Sequence, residues 1–149
     1  MNYLLDTNIY ITFIRNEKFT KYINRKYRQK DNILFTSCVV EGELKSFSIQ
    51  RNWGINKINK MGKLLSDFTI YPIKTNQIIS KYAEIDAFSQ GKHPTIPLNR
   101  SARNMGKNDL WLAATASVLD ATLITMDRDF EHLDKVFLDV LMINLDKII

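Results

Sequence analysis

The segment NYLLDTNIYITFI, Asn2 to Ile14, carries the reading on which the fold turns. Its opening, Asn2 to Leu5, is a short apolar run that ends in Asp6. Thr7 and Asn8 follow as a polar turn, and Ile9 to Ile14 is a second apolar stretch. A buried strand, a turn and a helix account for this order. Asp6 then sits at the C-terminal end of a strand.

The same alternation continues along the chain. Lys18 to Lys30 is charged, with Phe19, Tyr22, Ile23 and Tyr27 near helical spacing, and predicts an exposed amphipathic helix. Ile33 to Phe35 suits a strand, after which Thr36 and Ser37 offer N-cap oxygens to a helix running to about Gln50 and carrying Glu41 and Glu43. Trp53, Ile55, Ile58, Met61, Leu64 and Leu65 mark a further helix. Phe68 to Ile73, with Pro72, reads as a short strand, and Thr75 caps a helix through Ile78, Ile79, Tyr82, Ile85 and Phe88. Gly91 to Lys107 holds Pro94 and Pro97, lacks periodicity and predicts a mobile loop. Asn108 opens a helix through Trp111 to Ala116, Ala121 to Thr125 is a strand, Asp127 to Phe130 a polar turn, and Val140 to Asn144 the last strand. Strands alternating with helices point to an α/β sandwich with a mostly parallel sheet. Ligands of such sheets lie beyond the carboxyl ends of the strands, where Asp6 and Asp127 both fall.

A chain of 149 residues, 45% hydrophobic and 25% charged, fits one globular domain spanning 1–149. It is long enough to bury roughly two-thirds of its unfolded surface without disulfides or a structural metal. Its single cysteine, Cys38, cannot form an internal disulfide, and its place in the apolar stretch Phe35 to Val40 reads as core. Neither a leader pattern nor a membrane-length apolar run is present, so the cytoplasm is the expected compartment. A net charge of +5 and a pI near 9.3 favour an acidic partner such as nucleic acid. The basic residues gather at Arg25, Lys26, Arg28 and Lys30, at Lys57, Lys60 and Lys63, and at Arg100, Arg103 and Lys107. Each cluster alone reads more readily as a solvated face than as a phosphate contact.

Four carboxylates stand out by context. Asp6 and Asp127 end strands, while Glu43 and Asp109 lie in the first two turns of helices that begin above the same sheet edge. Alone, each is better explained as a turn former or as an answer to a helix dipole. Gathered, carboxylates about 4 Å apart repel by roughly 4 kcal/mol per pair at an effective dielectric of 20, so convergence calls for protonation, wide spacing or a cation. Mg²⁺ or Mn²⁺ suits an all-oxygen set. Zinc fits less well, because the only histidines, His93 and His132, lack ligand spacing.

The segments Leu4-Leu5-Asp6-Thr7-Asn8, Val40-Glu41-Gly42-Glu43-Leu44, Asn108-Asp109-Leu110-Trp111-Leu112-Ala113-Ala114-Thr115-Ala116 and Leu123-Ile124-Thr125-Met126-Asp127-Arg128-Asp129-Phe130 resemble, in order and spacing, the four signature blocks of PIN domains, especially the VapC-type toxins. The resemblance spans nearly the whole chain. It implies a three-layer α/β/α sandwich around a mostly parallel sheet and an Mg²⁺- or Mn²⁺-dependent endoribonuclease, with Asp6, Glu43, Asp109 and Asp127 as catalytic metal ligands. Asn8, Thr125 and Asp129 match supporting positions. Glu43 fits its block better than Glu41, which faces nearly the other way on the helix. The resemblance further implies an RNA substrate, a small antitoxin protein and homodimerisation, without a membrane. The Gly91 to Lys107 stretch departs from the family's usual short Gly-containing loop.

Other readings fit less well. A haloacid-dehalogenase phosphatase needs a carboxylate two residues after the first, where this chain has Asn8, and a receiver domain needs paired acids at the first strand. A PIN nuclease of RNA processing or decay, or a non-catalytic PIN domain that binds RNA or a partner, remains as an alternative to the toxin.

Overall fold

The computed structural model describes residues 1–73 and 75–149. Strand β1 (Asn2–Leu5) is followed by α1 (Thr7–Arg15), α2 (Glu17–Tyr27), β2 (Ile33–Ser37), α3 (Cys38–Gln50), α4 (Ile55–Ser66), β3 (Thr69–Tyr71), α5 (Asn76–Ser89), α6 (Lys107–Val118), β4 (Ala121–Thr125) and β5 (Val140–Met142). Short 3₁₀ helices occupy Arg128–Leu133 and Leu145–Lys147.

The five strands form one wholly parallel sheet in the order β3-β2-β1-β4-β5. Leu4 at its centre pairs with Phe35 on one side and Leu123 on the other. A parallel sheet covered on both faces needs strands apolar throughout, and Tyr3, Leu4 and Leu5 are accordingly all buried. The chain runs outward from β1 through β2 to β3, then crosses back to β4 and β5. Right-handed crossovers in opposite directions put their helices on opposite faces, which gives the three layers; α1 packs on α2, α3 and α4, and α5 on α6. The order reverses between β1 and β4, the switch point where sheets of this kind open a crevice.

Local chemistry fixes the boundaries. Asp6, Asn16, Ser37 and Thr75 cap α1, α2, α3 and α5 through their side-chain oxygens. Helix α5 ends in a Schellman turn, with Lys92 N donating to Ala87 O and Gly91 N to Phe88 O. Gly91 takes the left-handed φ of +72° that this turn requires.

Several boundaries differ from the sequence reading. Helix α2 stops at Tyr27 rather than Lys30, because Asn32 Nδ2 donates to Tyr27 O (2.9 Å) and turns the chain into β2. Strand β3 is trimmed to Thr69–Tyr71: Phe68 turns inward against Tyr10 and Phe13, and Pro72 has no N–H for the ladder. Helix α6 begins at Lys107, one residue before Asn108, and β5 ends at Met142 rather than Asn144. The turn expected after Asp127 is a 3₁₀ helix whose Phe130 and Leu133 are buried. Cys38 is half-buried rather than core, since the apolar run containing it crosses a strand-to-helix junction and its first helical residue opens onto a groove.

The segment between α5 and α6 is irregular, as expected, but it is tied down. Arg103 N donates to Ser89 O (2.8 Å), Met105 is buried, and His93 Nδ1 accepts from Thr95 N and Ile96 N. Among the described residues no helix is long and apolar enough to cross a membrane.

Candidate metal centre

Asp6 is set by both strands of the switch point. Its N–H donates to Ile124 O (3.0 Å) beside the last rung between β1 and β4. Oδ1 accepts from Thr7 N (2.7 Å) as the cap of α1, and Oδ2 accepts from the Thr125 hydroxyl (2.6 Å) at the end of β4. Burial pushes the carboxyl up to about 6; the Thr125 and Thr7 hydrogen bonds pull against that, and Glu43 and Asp127 repel it further. Thr125 also accepts from Asp127 N (3.0 Å), so one hydroxyl ties the first acid to the backbone of the second.

Asp127 caps the 3₁₀ helix, its Oδ1 accepting from Asp129 N (2.9 Å). Asn8 Oδ1 accepts from Met126 N (3.4 Å) and braces the same turn. Glu43 reaches the crevice from the second turn of α3 and accepts from the Thr7 hydroxyl and from Asn108 Nδ2 (2.9 Å). Glu41 points elsewhere and pairs with Lys45 at 2.7 Å.

Asp109 stands in the first turn of α6, half-buried. Burial raises its carboxyl to about 7, and Asp6, Asp127, Glu43 and Asp129 push it in the same direction, with no hydrogen bond offsetting them. Ligand atoms of Asp109, Asp127 and Asp129 lie within 4.8 Å of one another. Asp6 and Glu43 flank that trio closely enough to repel it. The structure therefore brings all four principal acids to one crevice and draws Asp129, expected only as a supporting group, into its tightest part.

Among the described residues only oxygen donors converge here, and no cationic side chain lowers Asp6 or Asp109. That combination fits a hard divalent ion held by carboxylates and water. Both histidines are occupied elsewhere: His93 meets Glu84 at 3.3 Å, and buried His132 meets Ser89 Oγ at 2.7 Å while stacking on Phe88. Burial first, then Arg103 and Arg100, drive His132 down to about 4, so it stays neutral.

Two contributors escape sequence reasoning. Asn108 orients Glu43 from across the crevice; its place beside Asp109 was the one available signal. Arg103 brings Nη1 to 3.4 Å from Asp129 O and 3.9 Å from Asp129 Oδ1, and nothing in its loop's composition marks it from Arg100. Of the three basic clusters, only this one meets the acids. Arg28 pairs with Asp67, Lys26 lies over Tyr22 and Tyr27, and Lys60 donates to Ile14 O.

Comparison with known proteins agrees with this fold. The model of the PIN domain family matches residues 3–136. Ribonuclease VapC2 of Rickettsia felis is 29% identical over 140 residues, covering 93% of this chain and 97% of that protein. Among solved structures, VapBC2 from Rickettsia felis bound to a DNA fragment from its promoter superposes with a TM-score of 0.77 at 22% identity, covering 95% of this chain and 98% of the other. VapBC-5 from Mycobacterium tuberculosis, of the VapBC family of toxin-antitoxin systems, gives a TM-score of 0.61 at 20% identity over 95% of this chain and 98% of its own.

Proposed function

This chain belongs to the PIN domain family, and from that premise we propose that it is a divalent-metal-dependent endoribonuclease, the toxin of a cytoplasmic toxin-antitoxin pair. The observation that carries the proposal is the convergence of Asp109, Asp127 and Asp129, flanked by Asp6 and Glu43, at the β1/β4 switch point. The relatives point to the biological setting: one is named a ribonuclease, and another belongs to a toxin-antitoxin system.

In this reading Asp6, Glu43, Asp109 and Asp127 hold Mg²⁺ or Mn²⁺, with Asp129 beside them. The ion, when bound, supplies a Lewis acid for the phosphate oxygens and lowers the pKa of the attacking water. The chain's residues supply the rest. Thr125 and Thr7 fix both oxygens of Asp6, and Thr7 and Asn108 fix Glu43, so the donors are oriented before any ligand arrives. Asp6 and Asp109, protonated in part near neutrality, release protons when the charge of a cation is offered. Arg103 and Lys107 place positive charge at the rim for an RNA backbone. A small antitoxin covering this crevice, and a second copy of the chain as dimer partner, complete the proposal.

Purified protein should cleave single-stranded RNA with Mn²⁺ or Mg²⁺ and stop in EDTA, and Asp6→Asn or Asp109→Asn should remove cleavage while the circular dichroism spectrum stays unchanged. Undiminished cation-dependent cleavage by either variant would sink the mechanism. Expression of the chain alone should arrest growth, and normal growth with active protein present counts against the toxin role.

A further inference from the structure

Beside the acids lies a second feature that the metal chemistry does not use. An open groove of about 580 Å³ runs along α3, sharing Glu43 and Asn108 with the carboxylate crevice and lined farther out by Gly42, Phe47, Gln50 and Trp111. Glu43, Phe47 and Gln50 share a face of α3 by helical spacing. Phe47 stands about 6 Å, one turn, beyond Glu43, and Arg51 about 12 Å beyond it.

The groove has two unlike ends. At the inner end are the carboxylates. Beyond the outer end, outside the residues that line the groove, the Arg51 and Arg15 guanidinium groups lie 5.1 and 5.9 Å from the centroid of the Phe47 ring. Among the described residues neither arginine pairs with a carboxylate. Between the ends are two aromatic rings already braced from behind, Trp111 against Tyr82 (centroids 4.3 Å apart) and Phe47 against Trp53 (5.6 Å). Gly42 leaves the floor open, since a Cβ there would meet nothing within 4 Å. Ser46 and Gln50, bonded to each other at 2.9 Å, give one rim exposed polar groups.

Building on the ribonuclease reading, we propose that this groove seats the base of a nucleotide beside the scissile phosphate, against Trp111 and the edge of Phe47, with Arg51 and Arg15 beyond Phe47 placed for a phosphate farther along the strand. A polynucleotide meets both ends at once: one phosphate belongs at the cation site, another farther along the strand at the guanidinium pair, and a base between them needs an aromatic platform. Stacking tolerates any base, while the Ser46–Gln50 rim can discriminate among base edges by hydrogen bonding. The groove is thus a specificity element of the cleavage reaction. An apolar helix from a protein partner would leave the arginines and the polar rim unsatisfied.

The test uses the full-length protein, Mn²⁺ and mixed-sequence single-stranded RNA. Gly42→Trp fills the groove without removing a contact, and Phe47→Leu keeps apolar bulk while deleting the ring. Each should raise KM roughly tenfold or more, the cost of one lost base stack, with a much smaller change in kcat, and should change the preferred base beside the cut. Phe47→Trp should restore both properties, which a purely structural role for Phe47 would not predict. The sole cysteine, Cys38, lines the same groove and gives a readout that needs no cleavage. In the Asp109→Asn protein, RNA should slow its modification by a maleimide. Unchanged KM and base preference in both groove variants, or protection of Cys38 by a partner polypeptide but not by RNA, overturns the proposal. If the wild type cleaves no RNA, the ribonuclease reading fails instead, and Cys38 protection alone then decides whether the groove takes a nucleotide.

Discussion

Replacing Asp109 with Asn should make the metal-free protein more stable while removing its activity. In the folded chain this carboxyl is raised from 3.8 to about 7, by burial first and then by Asp6, Asp127, Glu43 and Asp129. In a fully desolvated site that difference would be worth about 4 kcal/mol. Asp109 is half-buried, and solvent screening leaves about 1–2 kcal/mol of it. The native state therefore keeps a proton between about pH 4 and pH 7 that the unfolded chain has released, so the group's contribution to stability falls as pH rises through that window and is flat above it. Asn is neutral at every pH, nearly isosteric, and gives up no hydrogen bond that offset the repulsion. The variant should match wild type near pH 4 and exceed it by about 1–2 kcal/mol near pH 8 in EDTA, a rise in Tm of roughly 3–6 °C for a chain of this size. Thermal or urea melts at several pH values read this directly. Saturating Mn²⁺ should reverse the order, because a ligand at 100 times its Kd stabilises wild type by about 2.7 kcal/mol and the variant by less. An Asn variant less stable than wild type near pH 8 without metal, or an advantage that does not vary with pH, would refute the claim that these acids are held together against their own repulsion.

Thr125→Val deprives buried Asp6 of the hydroxyl at its Oδ2 and should cost about 1–3 kcal/mol near pH 8, and less near pH 5, where Asp6 is protonated; an equal loss at both pH values in urea melts would contradict the assigned hydrogen bond. Mn²⁺ binding should release protons near pH 6 and release few above pH 8, since Asp6 at about 6 and Asp109 at about 7 must ionise to ligate; calorimetry in two buffers of different ionisation enthalpy measures this, and proton release that does not change with pH argues against it. Ser37→Ala removes the N-cap bond to Val39 N (3.1 Å) and should lower stability by about 1 kcal/mol, read as a Tm lower by roughly 2–4 °C.

The parts of the fold legible in the sequence are those set by short-range rules. Asp6, Ser37 and Thr75 announce helix starts because a cap needs only its own side chain and the next N–H groups. The apolar runs at β1 and β4 announce buried strands because both faces of a parallel sheet are covered. What stayed hidden depends on groups distant in sequence or space. The end of α2 is set by Asn32 folding back on Tyr27. Strand β3 is shortened where Phe68 leaves the sheet for the Tyr10 and Phe13 rings. The loop before α6 looks mobile by composition, yet Ser89 anchors it through Arg103 N, Met105 Sδ and, across to the 3₁₀ helix, His132 Nε2.

The site divides along the same line. Strand ends and the first two turns of helices identify Asp6, Asp127, Glu43 and Asp109 as residues facing one edge, because parallel topology carries every such position to the same side of the sheet. Distance within the edge is a different matter. Asp129 enters the tightest trio because the turn after Asp127 winds into a 3₁₀ helix, and that winding follows from burying Phe130 and Leu133. Arg103 reaches Asp129 because the loop that carries it is fastened to Ser89 of α5, and Ser89 in turn to His132 of the same 3₁₀ helix. The carboxylate cluster and the positive charge beside it are thus held by one buried set of contacts, Phe130, His132, Ser89 and Met105, none of which touches the crevice's chemistry. Loosening that set should therefore spread the acids and withdraw the arginine together, weakening metal binding and RNA binding by a single structural cause.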